Sequence, residues 1–312
     1  MAGIAIIDRA AAAAARKTRP RPIPAAWIGY GLLAPSFLFL SLFTYWPVVQ
    51  VAWQSLHGQR RAGGPQTFVG AENFAALFAD PAFRKALSNN LIYAFGTVIP
   101  SLVLALGFAL ALSQSSRFNA FVRSLLFMPV LIPLVAAASV FLFIFLPGAG
   151  LLDHHLARLA ISGPNWLGDP DVALYSIMGL TIWKNAGYYM LFFLAGLQGI
   201  PADAYEAAIL DGANAWQRLR YVTLPYLKPT IGFLLVIGLL NVVTQVDHVF
   251  VLTKGGPSDS TNLLLFYVYQ QAVENYEPGR AGAGTLVMMV LLLVITLTSL
   301  RSLERRFGER EA

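Results

Sequence analysis

Cysteine and charge are what this 312-residue chain has least of. It has no cysteine, which excludes a disulfide framework, a thiolate metal site and a cysteine nucleophile. Only 12% of its residues are charged, whereas a soluble domain has about 25%. Hydrophobic residues make up 57% of the chain and the mean hydropathy is +0.61. The composition therefore excludes an ordinary soluble domain and indicates a membrane protein.

The apolar residues fall into long blocks, and block length decides the class of fold. A hydrocarbon core of about 30 Å takes roughly 20 helical residues, and continuous runs favour helices over alternating strands. We predict an all-α fold, a polytopic membrane helix bundle with six transmembrane helices. The predicted spans are residues 27–49, 89–112, 125–146, 172–197, 229–246 and 283–300.

Basic residues indicate the orientation of these spans. Of the 22 Lys and Arg, 14 lie on the side of the N-terminus, 7 on the other side and one inside a span. Because basic segments resist translocation, we expect both termini in the cytoplasm. Residues 1–26 and 301–312 are then basic cytoplasmic segments around a membrane domain at 27–300. The first apolar run is too long for the core of a cleaved signal peptide, so we expect a retained anchor.

The segments outside the spans carry little chemistry. Residues 72–87 indicate a broken amphipathic helix in which Asp80 is the N-cap and Pro81 the first helical residue. Residues 262–273 are apolar but too short to span. We expect no metal site: His154 and His155 follow Asp153 in an outer loop, but no further ligands occur at a recognisable spacing.

Residues 198–228 form the longest inner loop. Pro201 and Asp203 are expected to open a short alanine-rich helix that Gly212 ends or bends. Pro225 and Pro229 are expected to break the chain again before the next span. Small side chains on such a helix let the surface of another protein approach closely, so we predict a docking element.

This loop resembles the signature of the membrane permease subunits of binding-protein-dependent ABC importers. That signature is EAA, three residues, Gly, nine residues, Ile, one residue and Leu-Pro. The chain matches its spacing throughout, with Val222 in place of Ile, at Glu206-Ala207-Ala208, Gly212 and Leu224-Pro225. Residues 183–201, 249–261 and 68–74 are similar to the carbohydrate branch, of the maltose and glycerol-3-phosphate permease type.

The resemblance implies the type I ABC importer fold and half of an import pore in a bacterial cytoplasmic (inner) membrane. A second homologous permease subunit, two ATP-binding subunits and a periplasmic or extracellular solute-binding protein would be its partners. ATP and Mg²⁺ would bind the ATPase subunits, since this chain has no GxxxxGK[ST] loop. The residues implied to couple transport to the ATPase are Ala204, Glu206, Ala207, Ala208, Asp211 and Gly212.

Two polar stripes inside the spans are candidates for a sugar path. Polar residues in spans tend to face a bundle interior or a wet cavity, and each stripe repeats at i, i+3, i+4 and i+7, on one helical face. An equally weighted alternative is that they join helix to helix. The stripes are Thr181, Lys184, Asn185 and Tyr188 in the fourth span and Asn241, Thr244, Gln245 and His248 at the fifth.

Lys184 needs a partner, because a charge at mid-membrane is costly. The sequence leaves three candidates: Asp247 just beyond the fifth span, backbone carbonyls, or an anionic group of the substrate.

The function indicated is therefore a sugar permease that works by alternating access and is not itself an enzyme. A secondary solute transporter is the alternative, but it often couples protons through intramembrane acids, and the predicted spans contain none. A membrane-embedded enzyme ranks third, since HExxH, GxSxG and paired intramembrane carboxylates do not occur.

Overall fold

The computed structural model describes residues 25–59 and 66–308. Residues 1–24 and 309–312, which hold most of the predicted basic N-terminal segment and part of the predicted basic tail, lie outside these ranges. The chain divides into two units, residues 1–50 and 51–312. The described part of the first unit is one helical run whose side chains from residue 30 onward are exposed.

Helices account for nearly all the described elements, which confirms the predicted all-α class. The exception is a small antiparallel hairpin in the predicted first outer loop, β1 (His57–Gln59) and β2 (Gln66–Phe68), in which His57 pairs with Phe68. Helices α1 to α14 are Ala25–Leu40, Trp46–Ser55, Glu72–Ala79, Pro81–Ala111, Arg117–Leu131, Leu134–Ile144, Leu151–Arg158, Ala173–Gln198, Ala202–Leu210, Ala215–Arg218, Leu224–Thr244, Asp247–Leu252, Leu264–Tyr269 and Pro278–Gly308. Five-residue π-helical turns lie at Ser41–Tyr45, Leu219–Thr223 and Gln270–Glu274.

Four stretches of the described chain are long and apolar enough to cross a membrane. They are Gly29–Ser55, Pro81–Ala111, Ala215–Leu252 and Pro278–Thr298, and the bent pair α5–α6 would make a fifth. Helix α8 covers the predicted fourth span with 26 residues, about 39 Å of helix, but polar residues in its middle keep it out of this group. The count of six spans, with both termini in the cytoplasm, stays a prediction.

The predicted third span is not one helix. Helix α5 ends at Leu131 and α6 begins at Leu134, and the two are bent by 100°. Ile132 between them is extended, with ψ of 128°, because a residue before proline is pushed out of the helical region. Pro133 then supplies no N–H to continue the ladder. Prolines can kink a membrane helix without ending it, but here the helix is interrupted.

The second and fifth spans also differ from their predicted bounds. Helix α4 begins at Pro81, eight residues before the predicted span, so the second half of the amphipathic segment and the span form one 31-residue helix. The predicted helix start at Asp80 and Pro81 is confirmed, since the Asp80 carboxylate accepts a hydrogen bond from the Ala82 N–H at 2.9 Å. Helix α11 runs through Pro225 and Pro229, where a break was expected. Pro225 lies in the first turn of α11, where a backbone N–H would have no intrahelical acceptor. Pro229 removes only one intrahelical hydrogen bond.

Helix α8 lies at the centre of the second unit. It packs against α4, α5, α6, α11 and α12, and 15 of its 26 residues are buried. The main apolar core comes from these helices, and a smaller one joins α3, α4, α13 and α14 near the outer loops. Because α8 meets protein on most sides, its polar residues face other helices rather than lipid.

Candidate coupling surface and translocation path

The predicted docking helix is α9, and all six predicted coupling residues lie on it or at its end. Glu206, Ala207, Asp211 and Gly212 are exposed, while Ala204 and Ala208 are half-buried. Gly212 ends the helix in the left-handed region at φ +74°, as predicted. That geometry lets the Ala213 N–H bond the Ala208 carbonyl at 2.9 Å, which closes the last turn.

An apolar edge that the sequence analysis missed accompanies these residues. Leu210 at the end of α9 is 87% exposed, and Ile209 and Trp216 are exposed as well. Together with Glu206 and Ala207 they give α9 and the following short helix α10 exposed groups that are both apolar and acidic. Buried apolar side chains at the centre with polar groups at the rim are the usual composition of a protein interface.

A hydrogen bond joins the exposed helix to a membrane helix. The Tyr205 hydroxyl on α9 lies 2.9 Å from the hydroxyl of Thr223. Thr223 is buried in the π-helical turn that leads directly into α11. Residues 214–218 between them are fixed by a capping box, in which Asn214 and Gln217 exchange backbone and side-chain bonds. The loop is thus a compact body attached to α11.

Inside the bundle, one residue from each polar stripe meets at a tyrosine that was not predicted. The Tyr93 hydroxyl on α4 lies 2.7 Å from Thr181 Oγ1 and 2.7 Å from His248 Nε2. All three side chains are fully buried. Tyr93 sits in an apolar stretch where an aromatic residue is indistinguishable from core by sequence, so no signal was available to find it.

Several other buried polar atoms have no hydrogen-bond partner within the described residues. They include stripe atoms of Asn185, Gln245 and His248, and the side chains of Asn90 and Thr97 on α4. Leaving such a group unpaired costs about 1–3 kcal/mol. The interior of the bundle therefore offers donors and acceptors that are not consumed by helix packing.

The rest of the predicted stripes are less deeply placed. Tyr188 and Asn241 are half-buried, and the Tyr188 ring packs edge-on against Phe192. Thr244 is exposed and its hydroxyl bonds the carbonyls of Leu240 and Asn241 on its own helix. The structure therefore joins Thr181 to His248 but does not bring all eight residues together.

The ammonium of Lys184 has carbonyl partners. Its Nζ donates to the carbonyls of Pro129 at 3.2 Å and Val130 at 3.3 Å, and also to that of Ile132. These carbonyls belong to the break between α5 and α6. Among the described residues Lys184 makes no ion pair, and Asp247 is exposed. Of the three partners that the sequence left open, this conformation has the backbone carbonyls.

Two hydrogen-bonded anchors lie on the side predicted to be outside. The Asn89 amide donates to the carbonyls of Asp259 and Asn262, which fixes the loop after α12 against α4. The Asp153 carboxylate accepts the Gly148 N–H at 2.6 Å and the Trp166 indole N–H at 2.7 Å, and both bonds lower its pKa. Asp153 thus joins the two ends of its loop.

Comparisons with known proteins identify the family of this chain. Residues 101–309 match the family model of the binding-protein-dependent transport system inner membrane component. The chain is 32% identical over 280 residues to the sn-glycerol-3-phosphate transport system permease protein UgpA of Agrobacterium fabrum, covering 89% of this chain and 94% of that one. It is 33% identical to a probable ABC transporter permease protein of Pyrococcus horikoshii, covering 84% and 91%.

The sulfoquinovosyl glycerol transport system permease protein SmoG of Agrobacterium fabrum is 34% identical, with 86% and 88% covered. Among solved structures, a bacterial ABC transporter involved in the import of alginate superposes with a TM-score of 0.77 at 24% identity, covering 89% of this chain and 96% of that chain. That likeness concerns the fold.

The fold and the comparisons define a multi-pass inner-membrane protein of the transporter class. The chain belongs to the family of binding-protein-dependent transport system inner membrane components, the permease subunits of ABC importers. The resemblance that the inner loop indicated is thereby confirmed.

Proposed function

We propose that this chain is one half of an import pore that moves a sugar or sugar derivative into the cytoplasm by alternating access. ATP hydrolysis on partner subunits would drive it through α9. The observation that carries the proposal is the complete motif on an exposed helix that is hydrogen-bonded to a membrane helix. Relatives named for sn-glycerol-3-phosphate and sulfoquinovosyl glycerol transport support the substrate class.

The partners follow from the family. A second permease subunit would complete the pore, two ATP-binding subunits would receive α9 and its counterpart, and a solute-binding protein would deliver substrate outside. ATP and Mg²⁺ would be held by the ATPase subunits. The proposal includes six spans within residues 27–300, a coupling loop at 198–228, and cytoplasmic segments at 1–26 and 301–312.

Coupling would depend on the face of α9 that is left uncovered in this chain. Leu210 and Ile209 are exposed apolar side chains next to the acidic Glu206 and Asp211. Seating these groups in a groove of the ATPase removes apolar area from water, worth about 25 cal/mol per Å². Movement of the groove would then be passed to α11 through the bond between Tyr205 and Thr223.

The sugar path would use the polar groups of the two stripes. Hydroxyl-rich substrates need amides and hydroxyls as hydrogen-bond partners, and Asn185 and Gln245 hold buried atoms that find no partner among the residues the structure describes. Thr181, Tyr188, Asn241, Thr244 and His248 complete the proposed lining. Lys184 shares the stripe by spacing, although all three of its ammonium hydrogens go to carbonyls here.

Reconstitution of the whole complex in proteoliposomes tests the function. Neutral, phosphorylated and acidic sugars are each supplied with the binding protein, and uptake and ATP hydrolysis are measured. We expect one sugar class to stimulate both. Uptake that persists without ATP and collapses with the proton gradient would instead establish a secondary transporter.

Two pairs of variants separate coupling from the sugar path. Glu206→Lys on α9 should abolish solute-stimulated ATP hydrolysis, while Glu72→Lys, the same charge change on an exposed outer residue, should not. Asn185→Leu should raise the KM for uptake without loss of assembly, and Thr296→Val, whose hydroxyl bonds its own helix, serves as its control. Equal effects within either pair would contradict the corresponding role.

A further inference from the structure

The break between α5 and α6 is a polar defect inside the bundle. The end of an α-helix leaves up to four carbonyls without intrahelical donors. Pro133 has no N–H to offer them, and the Ile132 N–H turns back to the Pro129 carbonyl at 3.2 Å. In a membrane such carbonyls need other donors, because lipid supplies none.

Lys184 supplies those donors from α8. An ammonium has three hydrogens, and it meets three carbonyls, those of Pro129, Val130 and Ile132. The side chain is only 7% exposed. A positive charge at a helix C-terminus is also favoured by the helix dipole. The carbonyls and the dipole therefore replace the carboxylate that a buried lysine would otherwise require.

Gly187, one turn further along α8, sets the distance between the two helices. A Cβ at this position would overlap the backbone carbonyl of Leu126 on α5. Glycine thus lets the backbone of α8 lie directly against the backbone of α5. Any larger residue must push α5 away, which would draw the carbonyls of the break out of reach of Lys184.

Beside these contacts the break is loosely packed. A cavity of about 530 Å³ is bounded by α4, α5 and α8 and is lined by apolar residues, including Pro129, Ile132 and Gly187. The bend is therefore held by the contacts to α8 rather than by close packing all round it. Removing those contacts leaves α5 room to move.

We propose that Lys184 and Gly187 act together as a bracket that fixes the α5–α6 bend, and that the bent form is required for transport. Lys184 is then a positioning residue, which acts through the third span rather than through contact with the sugar. The requirement for transport rests on the proposed function, but the geometric part does not, so the two are tested by separate measurements.

Distance measurement between spin labels tests the bracket, and the natural absence of cysteine makes labelling simple. Spin labels are placed at Phe118 on α5 and Phe143 on α6, both exposed. The distance between them is measured by pulsed electron paramagnetic resonance in the assembled complex. At 1.5 Å per residue, a 100° bend puts these backbone positions about 23 Å apart, and a straight helix about 37 Å. Wild type should give a single short distance.

Lys184→Met and Gly187→Ala should each broaden the distribution toward longer distances, and the double variant should do no more than either one. Lys184→Arg, which keeps the positive charge and the hydrogen-bond donors, should retain most of the short-distance population. Two changes should leave it unaltered: Gly179→Ala, since a Cβ there meets nothing within 4 Å, and Lys85→Met at an exposed site on α4. If Lys184→Met does not assemble, Lys184→Gln takes its place.

An unchanged short distance in the Lys184 and Gly187 variants would overturn the bracket, as would equal broadening in Gly179→Ala. Solute uptake is measured on the same samples. Broadened distances with normal uptake would overturn the requirement for transport but not the bracket. If wild type imports no sugar at all, the proposed function fails while the distance comparison still decides the geometry.

Discussion

Removing the hydrogen bond between Tyr205 and Thr223 tests most directly whether movement of α9 is transmitted to the membrane helix α11. Tyr205→Phe removes one hydroxyl and keeps the ring, so the helix and its exposed face should be retained. The bond is 2.9 Å long and partly buried, and such a bond contributes about 0.5–1.5 kcal/mol. If that energy is what links α9 to α11, its loss is worth about 1 kcal/mol of coupling, or about a fivefold change.

The assay is ATP hydrolysis by the reconstituted complex, with and without the loaded binding protein. Tyr205→Phe should lower the stimulation by solute about fivefold while basal hydrolysis stays close to wild type. Thr223→Val should do the same, and the double variant should add little, because both remove one interaction. Tyr221→Phe is the matched control, since Tyr221 is exposed and its ring contact with Arg220 survives the change. Full stimulation in Tyr205→Phe, or an equal loss in Tyr221→Phe, would refute this route.

Three further outcomes are expected. Tyr93→Phe leaves His248 without its partner in the bundle and should destabilise the complex by about 1–3 kcal/mol; an unshifted melting temperature would contradict this, with exposed Tyr175→Phe as control. Gly212→Ala at φ +74° should cost about 1–2 kcal/mol of strain and weaken ATPase binding; affinity equal to wild type would count against a fixed helix end. The lowered pKa of Asp153 means that its hydrogen bonds stabilise the loop fully above the ordinary aspartate pKa and are lost as the pH falls through the lowered pKa. Hydrogen exchange of the backbone amides in residues 147–166 should therefore rise only in strong acid in the wild type, but already at neutral pH in Asp153→Asn. Exchange that is unaffected by the substitution would rule this out.

The inner loop was predictable because its signals are local. The spacing of Glu206, Gly212 and Pro225 needs no knowledge of the fold, and Gly212 ends the helix as its backbone freedom suggests. The same holds for Asp80, whose side chain caps a helix that begins at the next residue. The exposed Leu210 was missed, since an apolar residue on a helix is ordinarily read as buried.

Tertiary contacts explain what the sequence could not predict. Prolines at 129 and 133 are compatible with a kink or a break, and the choice depends on donors from another helix, which Lys184 supplies. Tyr93 gains its importance from Thr181 and His248, 88 and 155 residues away. No pattern within one helix contains that information.

The polar residues of helix α8 make it hard to recognise as a membrane span, and the same residues lie in the interior of the bundle. Apolarity is required of a helix only where it faces lipid, and α8 is surrounded by five other helices. It can therefore carry Thr181, Lys184 and Asn185 in its middle, which lowers its hydropathy below that of the four recognised stretches. A helix that other helices cover can donate hydrogen bonds to a neighbouring break, as Lys184 does, because its polar side chains are not exposed to lipid.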